Sequence, residues 1–167
     1  FFDFRETKLY FTKVGTGKKN LLLFHGFGQD HQAFKKIEEH VQPLGYTIYS
    51  FDIFFHGQSQ WNKGEQLLEK PFWKDLVAQF LSRHAIDNFS LLGFSMGGKF
   101  VLATLEAFPE RTENIFLLAP DGIKTNFWYS LATYPTAFRK LFKTMIHQPQ
   151  RFKAIENFVV AIGLIDK

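Results

Sequence analysis

The sequence predicts an α/β fold, a mostly parallel sheet with helices on both faces, followed by a segment built from helices alone. Three observations carry this. Between residues 7 and 119, short apolar runs of strand type alternate with amphipathic runs of helical period, the pattern of parallel strands joined by crossover helices. Beyond Ile123 the helical period continues with no convincing strand. The charge changes at the same place: residues 1–122 hold 13 Lys and Arg against 14 Asp and Glu, and residues 123–167 hold 7 against 2. We therefore expect two parts, 1–122 and 123–167.

Taken in order, "TKLYFTKVG" (residues 7–15) alternates polar and apolar positions up to Gly15 and Gly17, and reads as a strand ending in a turn. "NLLLF" (20–24) follows as a buried strand, so the opening is expected to be a hairpin. Asp30 can cap the next helix, where Phe34, Ile37 and Val41 recur at helical spacing until Pro43 and Gly45 stop it. "YTIYSFDIFF" (46–55) reads as a strand and the polar segment 57–70 as loop. Phe72, Leu76, Phe80 and Leu81 then mark one face of a helix over 71–86. "FSLLGF" (89–94) is the next strand, "KFVLATLEAF" (99–108) a helix closed by Pro109, and "NIFLLA" (114–119) the last strand. In the final part, "NFWYSLATY", "TAFRKLFKTMIH" and "RFKAIENFVVAIGLI" read as helices separated by Pro135 and Pro149.

The 167 residues are 46% hydrophobic and 22% charged, which suits one domain with a substantial core. With 22 phenylalanines that core should be largely aromatic. The absence of cysteine excludes disulfides and thiolate metal sites and fits a reducing, cytoplasmic compartment. The apolar run 158–165 is far shorter than the roughly 20 residues of a membrane-spanning helix. The basic last third brings no recognised nucleic-acid module, so lysines on wet helix faces explain it. A membrane-surface role for the stripe Phe138, Leu141, Phe142 and Met145 is weaker than burial of that stripe against the first part. The chain begins with Phe rather than Met and is expected to be trimmed at its start.

The chemistry centres on "LLGFSMGG" (91–98), an apolar strand running into Gly93-Phe94-Ser95-Met96-Gly97. A G-x-S-x-G turn between strand and helix exposes the serine on a strained backbone, and the following helix aims free N–H groups at the same place. A serine so placed is a candidate nucleophile, with the Met96 amide a candidate oxyanion donor. Two further stretches match the same plan. "LLLFHGFG" (21–28) is a strand running into His25-Gly26-Phe27-Gly28, and "DIFFHGQS" (52–59) follows the next strand.

In order and placement these three motifs resemble the α/β-hydrolase family across roughly residues 1–122, and the helical part resembles the cap such enzymes insert after the sixth strand. The resemblance implies Ser95 as nucleophile, the Phe27 and Met96 amides as oxyanion hole, and His25 as a brace for its loop. Asp52, His56, Gly57 and Ser59 match the turn that shapes the floor of the site, with Phe54 and Phe55 standing where Arg and Gly are common. Phe94, where many members carry His, would add apolar wall. Phe94, Trp128 and Tyr129, with Phe27, are the candidate lining of an apolar acyl or alcohol pocket. No cofactor and no metal are implied.

The family's triad runs Ser, then Asp or Glu, then His. After Ser95 only His147 remains, within the cap-like segment, where a helix-end surface histidine is the better reading. His31, His40 and His84 fall in or beside helices and are expected to be solvated. Asp121, just past the last strand, is a candidate acid, with a turn role before Gly122 as the alternative. The simplest expectation is a fragment: the nucleophile half and the start of a cap, without the strands that carry the acid and the base. The expected activity of the whole is cleavage of a small apolar carboxylic ester or related acyl bond. Carbon–carbon bond hydrolysis and acyl transfer use the same serine, and a binding module that lost catalysis is the rival from another class. An aspartate nucleophile, as in dehalogenases and epoxide hydrolases, is disfavoured because serine holds that position.

Overall fold

The computed structural model describes residues 1–120; the expectations placed on Asp121, Trp128, Tyr129, His147 and the helices after Ile123 lie outside the described residues. The described elements are β1 (Phe2–Phe4), β2 (Thr7–Leu9), β3 (Phe11–Val14), β4 (Lys19–Phe24), α1 (Lys35–Val41), β5 (Tyr46–Phe51), β6 (Gln60–Trp61), α2 (Lys70–Arg83), β7 (Phe89–Phe94), α3 (Gly97–Ala107) and β8 (Thr112–Leu118). The continuous apolar runs form the centre of a five-stranded sheet of order β3-β5-β4-β7-β8, parallel except for β3. A central strand is buried on both faces, which is why β4 and β7 carry no polar alternation.

Alternate residues serve opposite faces. Leu22 and Phe24 of β4, Tyr49 and Phe51 of β5, and Phe89 and Leu91 of β7 join Trp73, Leu76, Val77, Phe80 and Leu81 of α2 and Val101 of α3. Leu21, Leu23, Ile48 and Leu92 face the other way, onto Phe34 and the half-buried Ile37 and Val41 of the α1 region. The larger cluster is aromatic, as the composition requires. Phe80 is its hub, with ring centroids 4.9 Å from Phe51, 5.1 Å from Phe11 and 5.4 Å from both Phe2 and Tyr49.

The opening differs from expectation. The stretch 7–15 is two strands, because the Tyr10 backbone leaves the ladder: its N–H donates to Ser59 Oγ at 2.7 Å and its carbonyl accepts from Asp52 N–H at 3.0 Å. Thr7–Leu9 pairs with β1 and β6 in a separate three-stranded antiparallel sheet. The expected hairpin between β3 and β4 does not form, since β5 lies between them; β3 runs antiparallel to β5. The strand expected over 46–55 stops at Phe51, and the loop expected over 57–70 contains the two-residue β6. The first helix is α only over Lys35–Val41, flanked by 3-10 turns His31–Phe34 and Gln42–Leu44, with Asp30 capping Gln32 N–H at 2.8 Å. Among the described residues no helix is long and apolar enough to cross a membrane.

Register decides where the chemistry emerges. Phe24 pairs with Phe51 on one side and Gly93 on the other, so three neighbouring strands end at one level. His25, Asp52 and the Phe94-Ser95 turn therefore leave the sheet at the same carboxyl edge, where ligands of open parallel sheets bind.

Candidate active site

Ser95 occupies the tight turn between β7 and α3 with φ 49, in the left-handed region that a serine adopts only under constraint. The constraints are identifiable. Its N–H donates to the Leu118 carbonyl at 2.9 Å, tying the turn to β8, and its carbonyl accepts from Gly98 N–H at 3.0 Å. Gly97 packs so closely on the Phe24 carbonyl that a Cβ there would overlap it, which explains the glycine two residues after the serine. Ser95 is half-buried, and its Oγ makes no hydrogen bond among the described residues.

The loop after β4 lies against this turn. A Cβ on Gly26 would stand 2.9 Å from Phe94 Cδ1, so the loop rests on the ring of the residue before Ser95. Phe94, Gln29, Ala33, Phe34, Ile37 and Leu118 surround a cavity of about 240 Å³. Within the loop Gly26 N–H donates to Gln29 Oε1 at 3.0 Å. The Phe27 side chain is 81% exposed, its ring 5.4 Å from that of His56. Neither the Phe27 nor the Met96 N–H has an acceptor among the described residues.

His25 is fully buried. Its Nε2 accepts from Ile53 N–H at 2.9 Å, so the ring proton sits on Nδ1 and is donated to the Gly26 carbonyl at 2.7 Å. Burial holds its pKa below the usual histidine value, opposed by the Gly26 carbonyl. A neutral ring with both nitrogens engaged is a brace between the β4 and β5 loops and has no lone pair to offer a serine.

Asp52 is likewise fully buried. Its carboxylate accepts from His31 N–H, His31 Nδ1–H and Gln58 N–H, each at 2.7 Å, and its carbonyl accepts from Ser59 Oγ at 2.6 Å. Gly57, at φ 53, leaves room for that carboxylate, which a side chain would strike. Phe55 keeps a left-handed φ of 71 although it is not glycine; its ring is 64% exposed, against Trp61, while Phe54 is buried against Trp61 and Phe72. Asp30, His31 and Asp52 bring ligand-type atoms within 4.8 Å of one another. Within this group Asp52 Oδ1 is bonded to His31 Nδ1–H and Asp30 Oδ1 caps Gln32 N–H, so the three residues form a hydrogen-bonded brace.

Two histidines depart from the solvated state expected of them. His31 pairs with Asp52, because a buried carboxylate needs donors. His84 is half-buried, its ring 4.4 Å from Phe80, 5.3 Å from Phe11 and 5.5 Å from Tyr49, and burial together with Lys13 and Arg83 lowers its pKa. His40 is exposed, as expected. Among the described residues no histidine hydrogen-bonds Ser95 Oγ. The site as described therefore presents a constrained serine and two unengaged amides, without a base.

The comparisons agree with this architecture. Residues 19–153 match the model of the alpha/beta hydrolase fold family, and the chain belongs to that family. It is 28% identical over 147 residues to a Mycoplasma pneumoniae protein provisionally named esterase/lipase 2, covering 86% of this chain and 54% of that protein. It is 26% identical over 160 residues to a 2-hydroxy-6-oxononadienedioate/2-hydroxy-6-oxononatrienedioate hydrolase of Klebsiella pneumoniae, covering 92% and 51%. The chain thus spans about half the length of these relatives. Among solved structures, a thermophilic esterase from Thermogutta terrifontis superposes with a TM-score of 0.63 at 24% identity, over 73% of this chain and 44% of that one.

Proposed function

We propose that the protein is a serine hydrolase that cleaves a carboxylic ester or related acyl bond through an acyl-enzyme on Ser95. The observation that carries this is the Ser95 backbone: a left-handed φ of 49 at the head of α3, held by Leu118 and Gly97 contacts, with no hydrogen bond to Oγ among the described residues. Backbone strain of this kind persists where the surrounding structure enforces it, characteristically at functional positions. In the reaction Ser95 Oγ attacks the acyl carbon and gives its proton to a base outside the described residues. The Phe27 and Met96 amides hold the oxyanion, the alcohol leaves with the proton, and water then releases the acid and restores the hydroxyl. We assign residues 1–122 to the N-terminal part of the hydrolase core and 123–167 to a cap segment, with Asp121 a candidate acid and Phe94, Trp128 and Tyr129 candidate substrate-binding residues.

Carbon–carbon bond cleavage at the same serine is the second reading, favoured by the likeness to the dienedioate hydrolase. Replacing Ser95 by Ala in the full-length protein tests both: turnover of a short-chain aryl ester is expected to fall by about a thousandfold or more. Unchanged ester turnover in Ser95→Ala would move the chemistry to another residue, whereas a ligand-binding function that survives the replacement in a protein without turnover would favour the non-catalytic alternative.

A further inference from the structure

The candidate oxyanion residue stands on a loop with little to hold it. Phe27 lies between Gly26 and Gly28, Gly28 has φ 72 with open space where a Cβ would be, and the Phe27 ring is largely solvent-exposed. The internal bonds of the loop are those linking Gly26 and Gln29, at 3.0 Å and 3.3 Å. A glycine-flanked amide fixes its direction only if the chain is clamped at both ends, because each unfixed backbone torsion adds freedom that binding must remove. One clamp is the His25 ring, joining Gly26 to Ile53. The other is His31, whose main-chain N–H and Nδ1–H both reach the Asp52 carboxylate at 2.7 Å. Asp52 is itself held on several sides: it is buried, accepts from Gln58 N–H and Ser59 Oγ, and donates its N–H to the Tyr10 carbonyl, while the Tyr10 ring lies 5.0 Å from that of His31.

We infer that His31, through its Nδ1–H bond to Asp52, is a positioning residue that fixes the distal end of the Gly26–Asp30 loop and thereby aims the Phe27 amide at the oxyanion. This rests on the serine hydrolase reading. The His31 ring touches neither substrate nor Ser95 in this role, and its Nε2 has no part in it.

The geometry supplies a discriminating pair of variants. In His31→Asn the amide Nδ2 takes the place of Nδ1 and can donate to Asp52; in His31→Gln the amide falls one bond further out, near the place of Nε2, and leaves a methylene carbon at Cγ. The full-length protein is treated with an alkyl fluorophosphonate, in which the Oγ–P bond forms, fluoride departs and the serine proton passes to solvent. The P=O oxygen occupies the oxyanion position. Rate constants are taken from the time course rather than the extent of labelling, so they do not depend on the folded fraction. The expectation is that wild type labels at Ser95, His31→Asn stays within about threefold, and His31→Gln is slowed about ten- to a hundredfold, the scale of a misplaced oxyanion donor. With an ester substrate the loss in His31→Gln falls on kcat while KM stays within about twofold. Equal rates in all three proteins overturn the inference. So does a His31→Asn as slow as His31→Gln, which would implicate Nε2 or the ring. Absence of labelling in wild type sinks the serine reading itself, and this inference with it.

Discussion

At Ser95 the backbone carries the strain and its neighbours keep it there. Gly97 against the Phe24 carbonyl is the tightest of these contacts, so Gly97→Ala is expected to push the turn off β4 and cost about 1–3 kcal/mol, read as a lowered denaturation midpoint. A midpoint equal to wild type would mean that the turn has slack the structure does not show. Asp52 is the second residue on which the site depends. Asp52→Asn replaces one acceptor oxygen with a donor facing N–H groups, and a loss of about 1–3 kcal/mol is expected in the same measurement. These two differ in how far the sequence discloses them. The Gly93–Gly97 pattern names its serine, because turn and close approach demand specific residue types at fixed spacing. The bond between His31 and Asp52 joins residues that lie in different motifs, and a histidine beside a helix start carries no mark of its partner. The signal that was present was Asp52 itself, an acid at the end of a buried strand, which requires donors from somewhere.

Among the elements, the two-sided burial of β4, β5 and β7 makes the deepest strands the easiest to read, since an unbroken apolar run has few other uses. The edges are less legible. The apolar run Leu9-Tyr10-Phe11 carries straight through Tyr10, so nothing local announces that its backbone turns to Asp52 and Ser59 and divides one strand between two sheets. β6 is two residues long and exists only because β2 offers it an edge. The seam between α2 and the sheet is held chiefly by Phe80, whose ring meets five aromatic neighbours including His84. Phe80→Ala is expected to cost about 3–5 kcal/mol through lost transfer energy and the cavity left behind. A smaller loss, below about 1 kcal/mol by chemical denaturation, would show that α2 collapses onto the sheet without it.

For the molecule as a whole, two imidazoles set a pH dependence. Burial, the largest cause at both, keeps His25 and His84 below the ordinary value of 6.5, with Lys13 and Arg83 adding to the effect at His84. The unfolded chain takes up protons near 6.5 while the folded chain resists, so stability present above that pH is lost as pH falls below it toward the depressed values. The thermal midpoint is expected to drop between about pH 7 and about pH 5, with a shallower drop in His84→Gln; an unchanged slope in that variant would mean that His84 contributes nothing to it. An acyl-enzyme on Ser95 can be caught by rapid-quench mass spectrometry of the full-length protein with p-nitrophenyl acetate. The expected result is a transient acetyl group on the peptide containing Ser95, formed in a burst and absent from Ser95→Ala. Ester hydrolysis with Ser95 unmodified throughout, or an acetyl group carried to product on another residue, would contradict it.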